Sequence, residues 1–304
     1  MKSILAPLCL AAILSQGVGC GPASNRTPPT QPSGPSAPLP ELGRGRRLEP
    51  GVMLHEVKLP GRGATSKLWV YLPEAQTQTK IPCVLIAPAG TRMFHGNSLG
   101  DGDRPEHLPY VRAGFAVVAY ELDGPLEDDE SEEAMMSAAQ RFKGAEAGLL
   151  NAREALDYAL ANVPQIDPSR IFTAGHSSAA TTSLLVAERE PRVRACVAYA
   201  PVTDLEKYFG EEALKGLASA IPGYREFVRR ASPHAGAKDL RCPLFLFHAE
   251  DDENVAITES VNFAGEVSKH NPAVTFVRAA QGGHYDSMIE EGVPKAIEWL
   301  KAQK

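Results

Sequence analysis

The stretch Arg170-Ile171-Phe172-Thr173-Ala174-Gly175-His176-Ser177-Ser178-Ala179-Ala180 decides how this chain is read. Residues 170–174 form a short, mostly apolar run of buried-strand type, and residues 180–188 have the character of a helix. Between them stands a serine with Gly175 two places before it and Ala179 two places after it. A turn tight enough to lift a serine hydroxyl off the end of a strand needs small residues at those two places, because a larger side chain would strike the neighbouring backbone. The same serine opens a helix, whose first N–H groups have no partner inside the helix, so the amide of Ser178 is placed to donate to an oxyanion. A serine that merely caps a helix among small residues would leave the same string. The rest of the chain has to choose between the two.

Outward from that turn, short apolar runs at 84–87, 115–120, 195–200, 244–248 and 274–277 alternate with helical stretches. This is the pattern of a parallel sheet covered on both faces. The clearest helix is expected over 143–162, where Leu149, Ala152, Leu156, Ala159 and Leu160 recur at helical spacing before Pro164 ends it. A last helix is expected from Pro294, carrying Ile297 and Leu300. Ahead of the alternation, 52–59 and 67–72 flank the glycine-rich 61–63 and read as an antiparallel hairpin. The fold class is therefore α/β, a mostly parallel twisted sheet with an N-terminal hairpin and helices on both faces.

Two connections are too long to be simple crossovers. Residues 121–133 hold eight acids and no base and read as a solvated excursion. Residues 201–240 carry their own helical pattern in Leu205, Phe209, Leu214, Leu217, Tyr224 and Phe227. This insertion leaves the same sheet edge as Ser177, and we expect it to form a helical cap that touches substrate through Tyr208, Phe209 or Phe227.

A serine nucleophile on such a turn needs a carboxylate and then a histidine, in that chain order, each just past the end of a later strand. The run 244–248 is followed by Ala249-Glu250-Asp251-Asp252-Glu253-Asn254-Val255, and 274–277 by Gln281-Gly282-Gly283-His284. Both stand where the order requires. Two glycines ahead of His284 would give its loop the mobility to reach the serine.

From about Val52 to the C-terminus the chain resembles the catalytic domain of the prolyl oligopeptidase family of α/β-hydrolases. The resemblance is carried by Asp167-Pro168-Ser169-Arg170-Ile171 leading into Gly175-His176-Ser177, by Ser232-Pro233, by Cys242-Pro243-Leu244 and by His248 through Val255. It implies Ser177 as nucleophile, His284 as general base and Asp252, rather than Asp251, as the orienting acid, with His176 and His248 as scaffold. Asp251 would be a solvated or N-capping carboxylate. The implied chemistry is attack on an ester or amide carbonyl, with the oxyanion held by Ser178 N–H and an amide of Pro88-Ala89-Gly90-Thr91, for which Gly90 is the candidate. The propeller that gates the family's large peptidases would be absent, Pro88 stands where some of them have a tyrosine, and Ala249 replaces a glycine. These departures favour a carboxylesterase-like hydrolase of small substrates over an oligopeptidase, the expected substrate being a small ester or short peptide. A catalytically silent binding protein is the alternative of another class.

The remaining signals bound the setting. The net charge of −6 comes from acids and bases spread along the chain without a basic stripe, which argues against nucleic acid as partner. With no His-Glu-x-x-His motif, no paired Cys/His cluster and no phosphate-loop lysine near 96–102, neither a metal nor a nucleotide cofactor is expected; His55, His95, His107 and His270 read as surface residues. Lys2, the apolar run 4–14 and the small Gly17, Val18 and Gly19 ahead of Cys20 read as a secretion signal over 1–20. Its end resembles a bacterial lipoprotein signal, which implies lipidation at Cys20 and a place in the cell envelope facing the periplasm or exterior. Ordinary signal cleavage nearby is the alternative, and export follows from either. Residues 21–50, rich in Pro, Ser, Thr and Gly at their start, read as a disordered tether ahead of a hydrolase domain over 51–304. Cys83, Cys196 and Cys242 in the body are expected as buried apolar residues.

Overall fold

A computed structural model describes residues 39–60, 65–75, 79–126 and 131–303. The signal, Cys20, most of the tether and the glycine-rich hairpin turn lie outside these described residues. Among the described residues nine strands form one sheet: β1 (Arg46–Glu49), β2 (Val52–Pro60), β3 (Thr65–Pro73), β4 (Ile81–Ile86), β5 (Ala116–Tyr120), β6 (Ile166–His176), β7 (Val193–Tyr199), β8 (Leu244–Ala249) and β9 (Val274–Ala279). Their order is β1-β2-β3-β5-β4-β6-β7-β8-β9. The pairings β1–β2, β2–β3 and β3–β5 are antiparallel, β2–β3 being the hairpin that the pattern predicts, and from β5 through β4 to β9 every pairing is parallel.

The apolar runs lack polar alternation because both faces of the sheet are covered. Along β4, Cys83 and Leu85 belong to one core cluster while Val84 and Ile86 belong to the other; along β5, Val118 and Val117 divide the same way. One face is covered by α2 (Glu132–Gly144), α3 (Leu149–Asn162), α4 (Ser178–Arg189) and α8 (Thr258–Ser268), the other by α1 (Arg104–Arg112) and α9 (Val293–Lys301). The insertion holds α5 (Leu205–Ala220), α6 (Tyr224–Arg230) and α7 (Pro233–Gly236). α5 is broken at Gly210 (φ 73°, ψ 163°), so Tyr208 and Phe209 ride on a short leading segment.

Several local expectations need correction. The helix expected from 143 begins at Leu149: Glu146, Ala147 and Gly148 all have positive φ, 53°, 55° and 90°, and this left-handed turn separates α2 from α3. β1 lies inside the stretch read as tether, pairing Arg46 with Leu54 and Arg47 with Met53. Glu121, the first acid of the excursion, is not solvated. Its carboxylate accepts the Lys67 and Leu99 amides and lies 3.2 Å from Lys67 Nζ. His107 is buried against Tyr71. The three body cysteines are free thiols, Cys83 and Cys196 buried and Cys242 half-buried.

Candidate active site

Ser177 joins β6 to α4 with φ 55° and ψ −120°, a conformation that L-residues adopt only under strain. Two bonds fix the turn. The Ser177 amide donates to Tyr199 O at 2.8 Å, and the Ala180 amide donates to Ser177 O at 3.1 Å. The need for small flanking residues is visible in the geometry: a Cβ on Gly175 would lie 2.4 Å from Ala179 O. From Ile171 through Ala180 every residue is buried except Ser177. The turn thus presents one side chain from an otherwise closed segment.

Asp252 follows β8 and His284 follows β9, and the structure brings them together, His284 Nδ1 to Asp252 Oδ2 at 2.7 Å. The Asp252 side chain has no exposed surface. Its Oδ1 accepts the amides of Asn254 and Val255, and its Oδ2 also lies 3.1 Å from His248 Nε2. Burial alone would raise this carboxyl, but the hydrogen bonds of His248, His284 and the Val255 amide, with the charge of His284, hold it well below the usual carboxylate range. An ionised acceptor facing Nδ1 makes that nitrogen the protonated one and leaves the Nε2 lone pair as the basic end of His284. His248 is itself completely buried, held by Ser260 Oγ and Val255 O, the scaffold position that the resemblance implies.

Two supports surround His284, of which sequence reasoning missed the bonds of Asp251 and the Glu106 partner of His176, a residue it read as scaffold. Asp251 is exposed as expected, but it is no helix N-cap: its two oxygens accept the amides of Gly282 at 3.0 Å and Gly283 at 2.8 Å. The adjacent carboxylates therefore divide the work, Asp252 on the imidazole and Asp251 on the backbone of the histidine loop. The two glycines before His284 form a defined turn. Gly282 has φ 112° and sits against Ser287, whose hydroxyl donates to Gly283 O at 2.6 Å, so they shape a fixed turn. The second support is His176, whose ring lies 4.5 Å from that of His284 and whose Nε2 is 3.0 Å from His284 O, with Glu106 Oε1 3.5 Å from its Nδ1. This contact sets His284 beside the serine turn. Asp251 and Glu106 left no signal in the chain, because their partners lie far away in sequence.

The loop after β4 approaches from the opposite side. Gly90 has φ 89°, open to glycine without strain. The Thr91 amide donates to Ser178 Oγ at 3.1 Å, and Asn97 Nδ2 donates to Ala89 O at 2.7 Å. The first bond ties the loop to the first residue of α4, and the second braces the loop internally. Among the described residues no protein acceptor takes the Gly90 amide, and the Ser178 amide, at the first position of α4, has no partner within the helix. Of the three residues expected to touch substrate, Phe227 is 3% exposed and packs on Phe142 and Tyr224, which makes it part of the core. Phe209 is 9% exposed and packed into the same core, whereas Tyr208 is 44% exposed. No group of three or more His, Cys, Asp or Glu side chains among the described residues is placed to hold a metal ion.

A model of the prolyl oligopeptidase family matches residues 108–303. No curated protein sequence matches the chain. Among solved structures, the chain is similar to an acylaminoacyl peptidase from Pyrococcus horikoshii at 17% identity and a TM-score of 0.66, over 84% of this chain and 42% of that one. It therefore spans about two fifths of that peptidase. It is similar at TM-scores of 0.64 to an acetyl xylan esterase from Paenibacillus sp. R4, at 15% identity over 88% of this chain and 90% of that one. An S-formylglutathione hydrolase from Agrobacterium tumefaciens gives the same TM-score at 16% identity, over 86% of this chain and 99% of that one.

Proposed function

The chain belongs to the prolyl oligopeptidase family and is a serine hydrolase of α/β-hydrolase fold, and from that premise we propose that it cleaves small esters through Ser177, His284 and Asp252. The observation that carries this reading is the 2.7 Å bond from His284 Nδ1 to a buried, ionised Asp252, set beside the strained serine turn. In this mechanism His284 Nε2 takes the Ser177 proton as Oγ attacks the carbonyl carbon. The amides of Ser178 and Gly90 hold the oxyanion, and collapse expels the leaving group with the proton from Nε2. Water, deprotonated by the same nitrogen, then releases the acyl group from Oγ.

Two features favour an ester over a peptide bond. Pro88 supplies no hydroxyl to the oxyanion, and an acetyl xylan esterase and an S-formylglutathione hydrolase are among the solved structures that the chain is similar to. Family membership favours the other reading, a peptidase acting on short peptides. Incubation with a fluorophosphonate should label the protein at Ser177, with Ser177→Ala abolishing labelling and turnover of short acyl esters. A panel of aminoacyl amides run alongside decides between ester and peptide. An unlabelled wild type without turnover would favour the silent binding protein. We further propose export and lipidation at Cys20, supported by Lys2, the apolar run 4–14 and the small residues before Cys20. Cys20→Ser should move the protein from the membrane fraction to the soluble envelope fraction.

A further inference from the structure

Glu188 stands at the far end of α4 from Ser177, one residue before the helix stops at Arg189. A helix C-terminus repels a carboxylate, and this one is also buried, with only 8% of the residue exposed. Neither of its oxygens meets a hydrogen-bond donor among the described residues, and no other carboxylate there is buried in that state. Two residues on, the equally buried Glu190 shows the ordinary solution, accepting the Arg192 amide, the Arg192 guanidinium and Arg153 Nε. A buried acid without donors is costly, so the missing donor calls for an explanation.

The carboxyl lies at the floor of a cleft of about 250 Å³ between α4, α6 and α7. Gly236 rests directly on it, where a Cβ would collide with Oε2. Arg189, Arg229, Arg230 and Asp239 supply the charges of the wall. Two of these arginines are engaged: Arg189 donates to Arg230 O, and Arg229 holds Glu226 through two bonds. The exposed guanidinium of Arg230 and the exposed carboxylate of Asp239 have neither a hydrogen bond nor an ion pair among the described residues.

The signs of these charges restrict what can enter. A simple anion meets Arg230 but is opposed by two carboxyls, and a simple cation meets the carboxyls but is opposed by three guanidinium groups. A molecule with both charges close together satisfies both. We propose that this cleft binds a free α-amino acid, its ammonium donating to Glu188 and Asp239 and its carboxylate received by Arg230. The cleft lies outside the hydrolytic centre, and its ligand does not depend on which bond that centre cleaves.

Binding displaces a proton. Burial raises the Glu188 carboxyl well above its ordinary value, against the opposing charge of Arg189 and with the added charge of Asp239. The groups facing it are Arg189 on its own helix, Arg229 and Arg230 from α6, Asp239 after α7 and the Cys196 thiol from β7. Without ligand the carboxyl therefore holds its proton to higher pH than an exposed glutamate. When the ammonium binds, the carboxyl ionises and the proton passes to the buffer.

Calorimetric titration of the whole protein with L-alanine, ethylammonium and propanoate at equal ionic strength tests the proposal. L-alanine should bind with a Kd in the millimolar range or tighter, and the two singly charged halves at least about ten-fold more weakly. In buffers of different ionisation enthalpy, L-alanine should release up to about one proton per molecule bound. Glu188→Gln, which keeps the shape and removes the charge, should weaken L-alanine about ten-fold and abolish the proton release. Arg230→Ala should weaken it by a similar factor, with Arg230→Lys keeping part of the affinity. Arg230 is exposed, so its variants test the cleft even where Glu188→Gln fails to fold. No binding of L-alanine up to about 50 mM, binding of propanoate or ethylammonium as tight as that of L-alanine, or unchanged affinity in Arg230→Ala overturns the proposal.

Discussion

The two flanks of Ser177 are held by different forces. On one flank the loops after β8 and β9 are bound by hydrogen bonds: Asp252 gathers four donors, Asp251 holds two amides, and Ser287 closes the glycine turn. On the other flank α5 and α6 are held largely by apolar packing, with Phe227 on Phe142 and a break at Gly210. Directional bonds fix a ring to a fraction of an ångström, whereas side-chain packing fixes a helix while tolerating variation in what it presents. The first flank suits a group that must transfer a proton, and the second suits a wall that shapes substrate choice.

The contrast fails first at Asp252, where the largest effect belongs. Asp252→Asn should lower kcat by roughly three to four orders of magnitude, because the amide no longer selects the Nδ1–H tautomer of His284. Stability should follow in a defined pH window. The folded-state pKa of Asp252 is depressed, so its contribution is present above the unfolded value and is lost as pH falls through the folded one. Denaturant unfolding of wild type and Asp252→Asn should therefore differ most above about pH 4 and converge in acid.

The packed flank should respond to truncation in stability. Phe227→Ala removes a core ring and should cost about 3–5 kcal/mol by denaturant unfolding, with little change in the ratio of kcat/KM between short and long acyl esters. A changed chain-length profile would return Phe227 to the substrate wall. Smaller again, Asp251→Ala should lower kcat on the order of ten-fold to a hundred-fold with KM nearly unchanged, since it displaces His284 without touching substrate. Asp251→Asn, which keeps one acceptor for the glycine amides, should recover part of the loss. Equal loss in kcat and stability alone, without recovery by the amide, would make Asp251 a structural residue only.

What the chain discloses follows from the range over which each signal acts. The strands and the Ser177 turn were legible because their causes are local: apolar runs within a few residues, and Gly175 and Ala179 two places from the serine. The order acid then histidine pointed to two loops that the fold brings together, with His284 Nδ1 2.7 Å from Asp252 Oδ2. Helix α3 was started too early because Ala145 and Ala147 continue an apolar rhythm into a turn whose left-handed backbone leaves no mark on hydrophobicity. β1 escaped because Arg46-Arg47-Leu48-Glu49 is short and charged. Glu121 was misjudged and the bonds of the exposed Asp251 went unseen for one reason, since backbone amides distant in sequence are among their partners, and a carboxylate that meets such amides looks no different in the chain from one that meets only water. Phe227 shows the converse, an amphipathic helix revealing that it has an apolar side without saying which surface that side covers.

With Ser177 as the proposed nucleophile, its backbone sets heat resistance against turnover. At φ 55° and ψ −120° only glycine is comfortable, and strain of this kind is on the order of 1–3 kcal/mol, a sizeable part of what keeps a domain folded. Glycine at position 177 would relax the turn while deleting the hydroxyl. A library ranked by melting temperature alone would thus enrich an inert protein at this position, and any effort to toughen the enzyme must gain its margin elsewhere, for example at the left-handed Glu146 and Ala147, where no chemistry depends on the side chain.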